Sequence, residues 1–460
     1  MPNQFIEYTK SQFMSPLERK IGRSKTIHSL PNYSAAGSYC FFSQCIELNN
    51  VEERDFLAAI DLSKSVDENY EALLKFAPLL NHEVKHWYDA HSTLWGLKLL
   101  RNIYLRKNDL YEAEQVGIGA QLPHFHKQIE LRDSIEYIKF PDYYLTRNPK
   151  ANTVQPWKYD YSAGIMFSKY GKPTDRNIFF TRFENAKGEL IARAPFSLCA
   201  LLEASAVAQE LNTKVRIISL LEDPITYKIE SDKLLKNTLD ELYDENLVEY
   251  SVVAHKIANS FEIKDVIEAY NIAARVTRLI LNLTDDVINL LNPETLLSEK
   301  FTLFFEPYKS AIKYKDYGAI FSLIIDSLFC KYQSQGIQVS NDNLKDLLGG
   351  LFLQEIGLSL SDIFSKSKDA VCQTCLSVDF KLEKEHIGKY LTLGKSFHDR
   401  FGLIGSHFIN LDNELIPEFI LGDDTFVSQQ GGDQESFEKR YSELTDYYDY
   451  LSAFEKACIV

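Results

Sequence analysis

The pattern of apolar and polar positions predicts an α+β protein in which helices dominate. The aromatic-rich run at residues 37–48, bounded by a glycine and by an Asn–Asn pair, predicts a strand. Helical stretches at 51–62 and 67–77 follow it. A third stretch, at about residues 78–104, places apolar residues three, four and seven positions apart, which predicts a helix with one buried face. We expect Pro78 in the first turn of that helix, where its missing N–H is not needed.

The middle of the chain alternates between loop patterns and regular patterns. Glycines and prolines punctuate residues 117–172, which we interpret as a loop-rich insertion lying over the domain. Two β-prone runs at 177–183 and 190–194 surround a polar segment with a glycine, and this arrangement is typical of a hairpin. Pro195 then opens a strong predicted helix over 196–211.

Beyond residue 225 the sequence predicts amphipathic helices almost throughout, and no repeat of fixed period that would indicate a solenoid. The clearest helical stretches are 231–245, 264–283, 316–332 and 342–364. We therefore expect an N-terminal α+β domain at 37–225, with the insertion at about 117–172, followed by an all-α domain at 226–422.

The two ends of the chain are predicted to differ from these domains. Residues 1–36 are expected to form an irregular leader with a basic patch. Residues 423–460 form an acidic, tyrosine-rich tail that ends in a predicted helix. The tail is interpreted either as a flexible segment or as a contact with a partner.

Composition restricts the class of ligand. The chain has 460 residues, of which 45% are hydrophobic and 13% are aromatic, so it can form two or three domains with a large core. Its formal net charge of −15 disfavours nucleic acid as the main ligand, because phosphate binding requires a basic surface. The same acidity disfavours binding to anionic membrane surfaces.

Targeting and cysteine patterns suggest a location. The first residues lack the charged start and apolar run of a secretory signal. No uncharged stretch reaches the roughly 18 residues that a membrane span needs. The seven cysteines stand at irregular positions and do not form a disulfide framework. A reducing cytoplasm is therefore the expected location.

The strongest chemical pattern is the motif His-Glu-x-x-His, formed by His82, Glu83 and His86. Positions i and i+4 of a helix lie on one face, with Cβ atoms roughly 5–6 Å apart, so two imidazoles can converge on one metal ion. Glu83, about 100° further round the helix, can reach a water on the metal without binding the metal itself. The alternative is that both histidines are ordinary helix residues paired with neighbouring acids. Lys85 favours that alternative, because this position is usually uncharged in zinc peptidases.

A catalytic zinc site usually needs a third protein ligand. The residue six positions after His86 is Ser92, and His91 is one position away from that spacing. Glu203 is the best candidate, because it lies in an apolar stretch at 198–208 where a carboxylate is costly to bury unless it is paired or bound to metal. The alternative is a helical acid that faces solvent.

Other polar residues carry weaker patterns. Glu210 and Asp89 are placed to orient a ligand from outside the metal site, or else are plain surface acids. One His-x-His pair is interpreted as a surface loop, and one Cys-x-x-Cys pair lacks the second pair that a zinc ribbon needs: His124, His126, Cys372 and Cys375. The remaining C-terminal histidines are predicted to lie on the surface: His386, His398 and His407.

The motif His82-Glu83-x-x-His86, together with Glu203 in an apolar setting on a later helix, resembles the zincin superfamily of zinc metallopeptidases, specifically its gluzincin type. The resemblance rests on two predicted helices within about residues 78–211. It implies that His82, His86 and Glu203 bind Zn²⁺ and that Glu83 is the general base. It also implies a zincin-like N-terminal domain that hydrolyses a peptide bond in a protein or peptide substrate.

Two other functions stay open at this point. The chain could be a non-catalytic protein whose C-terminal helical domain binds a protein partner and whose zincin-like domain is inactive or structural. It could also be a regulated intracellular toxin or defence effector. The intact Glu83 favours the enzyme, because a purely structural metal site has no use for a base there.

Overall fold

The structure is a computed structural model. It describes residues 7–9, 36–61, 63–114, 127–151 without 129, 132, 133 and 136, 155–168, 171–375, 384–405, 416–428 and 434–458. Helices dominate these residues, and the strands form two small sheets, so the protein belongs to the α+β class, as predicted.

The strands are short at the ends of the chain and longer in its middle. They are β1 (Glu7–Thr9), β2 (Ser38–Tyr39), β3 (Ile46–Leu48), β4 (Thr146–Arg147), β5 (Lys158–Phe167), β6 (Pro173–Glu184), β7 (Leu190–Pro195), β8 (Phe419–Leu421) and β9 (Phe426–Ser428). The first sheet has the order β1-β9-β8-β3-β2, in which only β3 and β8 are parallel. The second sheet has the order β4-β7-β6-β5 and is antiparallel throughout.

The helices occupy most of the remaining described chain. They are α1 (Glu53–Ile60), α2 (Val66–Ser92), α3 (Leu94–Glu114), α4 (Leu198–Ser219), α5 (Pro224–Leu242), α6 (Val248–Phe261), α7 (Val266–Leu281), α8 (Asp285–Asn289), α9 (Pro293–Leu296), α10 (Phe305–Tyr314), α11 (Tyr317–Tyr332), α12 (Leu344–Ile356), α13 (Leu360–Cys375), α14 (Lys384–Phe401) and α15 (Gln434–Cys458). None of these helices alone has the length and apolarity to cross a bilayer; α12 and α13, bent by 84°, meet that test only as a pair and only by length and composition.

Helix α4 lies at the centre of the packing. Ala200, Leu201 and Ala204 belong to a hydrophobic cluster built mainly from the helices after residue 240. Leu198 and Leu202, on another face of α4, belong to a second cluster formed with α2, α3 and the first sheet. Because α4 is covered on several faces, any polar side chain on it that points inward is buried. The predicted domain limits at 36, 225 and 422 stay predictions, and the first cluster draws residues from both sides of 225.

The motif helix differs from its predicted bounds. Pro78 lies inside α2 rather than in a first turn, and α2 starts twelve positions earlier, at Val66. The N-terminal cap is Ser65, whose side chain accepts a hydrogen bond from the Glu68 N–H. The helix ends at Ser92 and not near residue 104, because Thr93 is extended (φ −117°, ψ 154°).

Three further predictions of local structure are corrected. The strand predicted at 37–48 is a hairpin, in which β2 and β3 flank a tight turn. The segment 117–172, predicted to be loop-rich, contains the ten-residue strand β5, which pairs along most of its length with β6. The helix predicted at 342–364 is two helices, α12 and α13, because Gly357 takes a left-handed conformation (φ 71°) after Ile356.

Strands and a helix lie near both ends of the chain. Strand β1, within the predicted irregular leader, pairs with β9. The predicted acidic tail, interpreted as flexible or as a partner contact, contains β9 and α15, and Phe437 and Leu444 of α15 are buried. Helix α15 therefore packs on the first sheet through Phe437 and on α3 through Leu444.

Candidate metal centre

The three predicted metal ligands come together between α2 and α4. His82 and His86 lie one turn apart on α2, on the helix face adjacent to the buried Leu80, Val84 and Trp87. Glu203 lies in the second turn of α4, whose N-cap Ser197 accepts a hydrogen bond from the Ala200 N–H at 3.1 Å. Packing of the two helices brings the carboxylate of one to the imidazoles of the other.

The separations from Glu203 to the two histidines fit a single cation. Glu203 Oε2 lies 3.4 Å from His82 Nε2 and 3.6 Å from His86 Nε2. One ligand atom from each of the three residues lies within 4.8 Å of the others. A tetrahedral ion with ligand distances of about 2.0–2.1 Å separates its ligand atoms by about 3.4 Å. The two measured separations from Glu203 therefore match a shared ion.

The polar atoms of this group are buried and incompletely paired. His82, His86 and Glu203 are 8%, 1% and 2% exposed. Within the described chain, Glu203 Oε2 and His86 Nδ1 have no hydrogen-bond partner. Burial raises the pKa of Glu203, but His86 and His82 outweigh burial and hold this pKa at about 2. The carboxylate is thus ionised and has unused acceptor capacity.

Glu210 lies directly behind His82. Its Oε2 is 3.1 Å from His82 Nδ1, and its Oε1 is 2.7 Å from Lys214 Nζ. Burial lowers the pKa of His82, but its interactions with the carboxylates of Glu203 and Glu210 outweigh burial and raise this pKa well above the ordinary value. When Nδ1–H donates to Glu210, the Nε2 atom of the same ring is directed at Glu203. Glu210 therefore fixes the orientation of one predicted ligand.

Glu83 is close to the three ligands but is not one of them. It is 5% exposed, and burial raises the pKa of its carboxyl group, although His82 and His86 oppose this. Its carboxyl group lies against Gly37: a Cβ at residue 37 would stand 3.0 Å from Glu83 Oε1. Glycine at this position is what lets the chain entering β2 approach the acid so closely.

Tyr250 is a member of the site that the sequence did not predict. It lies near the start of α6, and burial first, then Glu203, Cys199 and Glu83, raise the pKa of its phenol. The phenol is therefore a neutral O–H group within electrostatic reach of the predicted ligand and the predicted base. With 26 tyrosines in the chain, only the packing of α6 against α4 distinguishes this one.

Lys85, the charged residue between Glu83 and His86, is paired with an acid other than the predicted ligand Glu203. Its ammonium group donates to Asp89 Oδ1, and Asp89 is 1% exposed. Asp89 therefore pairs with Lys85 and does not orient a histidine ligand. His91 also faces away: it stacks on Trp87 and bonds to the Trp87 carbonyl, and burial lowers its pKa to about 3.

The other predicted polar residues do not join this group. His398 was predicted to be on the surface and is instead fully buried, with Nε2 2.9 Å from Ser367 Oγ. That prediction is wrong because α13 and α14 pack face to face around the ring. Cys372 and Cys375 lie in the last turn of α13 and are half-buried. His124, His126, His407 and the side chain of His386 lie outside the described residues.

Comparison with known proteins adds no relative. No protein-family model matches the chain. No curated protein matches it, and no solved structure matches it. We therefore infer the function from the geometry of the site.

Proposed function

We propose that the protein is a zinc-dependent metallopeptidase with a zincin-like N-terminal half, in which His82, His86 and Glu203 bind Zn²⁺ and Glu83 is the general base. The observation that carries the proposal is the convergence of three buried ligand atoms, from two helices, within 4.8 Å. A second buried acid, Glu83, lies beside them on the motif helix.

The donor set suits zinc. Two imidazoles and one carboxylate are a common set in catalytic zinc sites and leave one coordination position open. Glu203 Oε2 and His86 Nδ1 lack partners among the described residues, which is costly for buried polar atoms. A cation held by Glu203 Oε2 would satisfy the carboxylate. Glu210 supports this set from outside, because a hydrogen-bonded imidazole is a better-oriented ligand.

In the proposed hydrolysis, the metal ion, Glu83 and Tyr250 have different roles. When bound, Zn²⁺ supplies Lewis acidity, which polarises a carbonyl oxygen and makes water more acidic. Glu83 accepts the proton of the attacking water and later gives it to the leaving amine nitrogen. Because burial raises the pKa of Glu83, this carboxylate is a stronger base than an exposed glutamate. Tyr250 is within electrostatic reach of Glu203 and Glu83, and its neutral phenol is our candidate donor to negative charge that develops there.

The first sheet offers a place for an extended substrate beside Glu83. Strand β2 is at the edge of this sheet as described. Two hydrogen bonds show which backbone groups near β2 face β3: Cys40 N donates to Cys45 O, and Asn50 N donates to Ala36 O. The N–H and C=O groups of the even-numbered residues in this segment therefore face β3. The backbone groups of Gly37 and Tyr39 therefore face the other side, where a peptide can add as a further strand.

Replacement of Glu83 by glutamine tests the proposal. We expect Glu83→Gln to keep about one zinc per chain and to lose about 10²–10⁴-fold in peptide hydrolysis, because the amide cannot accept the proton. The assay is cleavage of a mixed peptide library followed by mass spectrometry. Glu71→Gln, at an exposed position of the same helix, is the matched control and is expected to keep full activity.

Two results would contradict the proposal in different ways. Wild-type protein that holds zinc but cleaves no peptide would favour the non-catalytic alternative, in which the helical half binds a protein partner. Hydrolysis that survives Glu83→Gln unchanged would place the base elsewhere.

A further inference from the structure

A cavity of about 450 Å³ lies between α2, α4 and α7, on the side of these helices away from the metal ligands. Four cationic side chains line it, and no acidic side chain of the described residues does: Lys85, Arg216, Arg275 and Arg278. In a chain of net charge −15, this is a local reversal of sign. A concave site lined by one sign of charge concentrates ligands of the other sign.

Arg278 is the most deeply buried of these cations, at 6% exposure. Its guanidinium donates to Gly402 O at 2.8 Å, Ser92 Oγ at 3.0 Å and Ser92 O at 3.2 Å, all of which are neutral acceptors. Burial lowers its pKa to about 10, so the group is charged at neutral pH. Asp89, the acid that acts on Arg278, is already paired with Lys85. The cluster therefore carries an excess positive charge.

Arg275, one turn earlier on α7, has the same kind of surroundings. It donates to Ile404 O at 3.3 Å and to the backbone and side-chain oxygens of Asn341, which are neutral acceptors, while the charge of Asp342 acts on it without a hydrogen bond among those described. Buried or half-buried cations without a paired carboxylate are costly. An anion between Arg275 and Arg278 would lower that cost.

Ser205 provides an independent sign of a ligand. It is 1% exposed, it lines the cavity, and its hydroxyl has no hydrogen-bond partner among the described residues. A buried hydroxyl without a partner is uncommon. Because Ser205 and Glu203 are two positions apart on α4, they point to nearly opposite sides of the helix. The cavity is thus a second site and not part of the metal centre.

We propose that this cavity binds a phosphate-bearing small molecule, held by the guanidinium groups of Arg275 and Arg278 and by the hydroxyl of Ser205. Guanidinium groups match the geometry of phosphate oxygens, and a phosphate has enough acceptor atoms for several donors at once. The cavity volume is within the range of small-molecule sites, roughly 300–1,000 Å³. This assignment does not depend on peptidase activity.

Calorimetric titration of the full-length protein with inorganic pyrophosphate tests it. We expect saturable binding of one pyrophosphate per chain that weakens as salt is added. Asn271→Asp, which places a negative charge in the cavity lining, is expected to weaken binding by about tenfold or more. Asn237→Asp makes the same change at an exposed position of α5 and is expected to bind like the wild type.

Two milder variants guard against misfolding of Asn271→Asp. Ser205→Ala removes only the unpaired hydroxyl, and Arg216→Gln removes an exposed cation of the lining; each is expected to weaken binding while circular dichroism stays unchanged. Absence of saturable binding to the wild type would overturn the proposal. Binding that is equal in the wild type and all three lining variants would also overturn it, since that ion would occupy another place, the metal centre included.

Discussion

Two buried polar clusters in this molecule each combine an acid with basic side chains, but they differ in whether the acid's oxygens have hydrogen-bond donors. In the helical half, Lys256 and Asp326 are 2% and 3% exposed. Asp326 Oδ1 is 2.5 Å from Lys256 Nζ, and its Oδ2 accepts from the hydroxyls of Tyr161 and Tyr308, both at 2.7 Å. Every oxygen of this acid has a close donor. Between α2 and α4, by contrast, Glu203 Oε2 has two imidazoles at 3.4 and 3.6 Å and no hydrogen bond.

We interpret the difference as that between a structural cluster and the proposed metal centre. A buried acid that is surrounded by its own donors at hydrogen-bond distance needs nothing more. In the proposed metal centre, the imidazole nitrogens lie 3.4 and 3.6 Å from the Glu203 oxygen, and this separation leaves room for an ion bound to all three side chains. Burial and charge alone would not distinguish the two clusters; donor–acceptor distances do.

The largest expected effect is on stability in the helical cluster. Lys256→Met leaves Asp326 as an uncompensated buried charge, and we expect it to lower the free energy of unfolding by about 3–5 kcal/mol. Zinc binding should not change in the folded fraction. Urea unfolding and zinc analysis measure the two effects, with Lys228→Met at an exposed position of α5 as the control. Loss of zinc from folded Lys256→Met would show that the clusters are coupled.

The metal centre is expected to respond to zinc itself. At a free zinc concentration about one hundred times the dissociation constant, the ion should stabilise the wild type by about 2.7 kcal/mol. His86→Ala, which has lost a ligand, should gain no such stabilisation. Thermal unfolding with and without zinc measures this, and equal shifts for both proteins would argue that zinc binds elsewhere.

Glu210 offers a smaller change that leaves all three predicted ligands in place. We expect Glu210→Gln to weaken zinc binding by about 10–100-fold, because the neutral amide orients His82 less firmly than a carboxylate does. Competition with a zinc-binding dye measures the affinity. Glu71→Gln serves again as the control. An unchanged zinc affinity in Glu210→Gln would show that Glu210 does not orient His82 for metal binding.

Asp316 is a partly buried acid in surroundings of a different kind, a helix N-terminus. Asp316 caps α11 by accepting from the Ala319 N–H at 3.1 Å, and burial, opposed by that hydrogen bond, raises its pKa from 3.8 to about 6. The folded state therefore binds this proton more tightly than the unfolded state, so stability falls as pH rises from about 4 through 6. Asp316→Asn keeps a good cap without the charge.

We expect Asp316→Asn to be more stable than the wild type by about 1–2 kcal/mol at pH 7 and to be equal to it near pH 4. Denaturant unfolding at the two pH values measures the difference. A gain of the same size at both pH values would show that removal of charge is not its cause.

Local spacing was enough to predict part of the site. His82, Glu83 and His86 share a helical segment whatever the rest of the chain does, since only residues four positions apart are involved. Glu203 was predicted from the cost of burying an acid among apolar neighbours, and it is indeed buried. These residues form one group only because α2 packs against α4, and a local sequence pattern cannot predict which helices pack together.

Long-range contacts explain the predictions that failed. Phe76 and Leu80, on either side of Pro78, are both buried in the same core, so the helix continues through the proline. The break at Thr93 depends on Asn282, which accepts a hydrogen bond from the Leu94 N–H at 3.0 Å across nearly two hundred residues. Tyr250 reaches the site in the same way, through the contact of α6 with α4.

The central claim is that His82, His86 and Glu203 share one zinc ion. An anomalous difference map, recorded at the zinc edge from crystals of the purified protein, tests it most directly. We expect a single peak between the three side chains, at about 2.0–2.1 Å from the two Nε2 atoms. Zinc-loaded crystals with no peak there, or with a peak only at other residues, would contradict it.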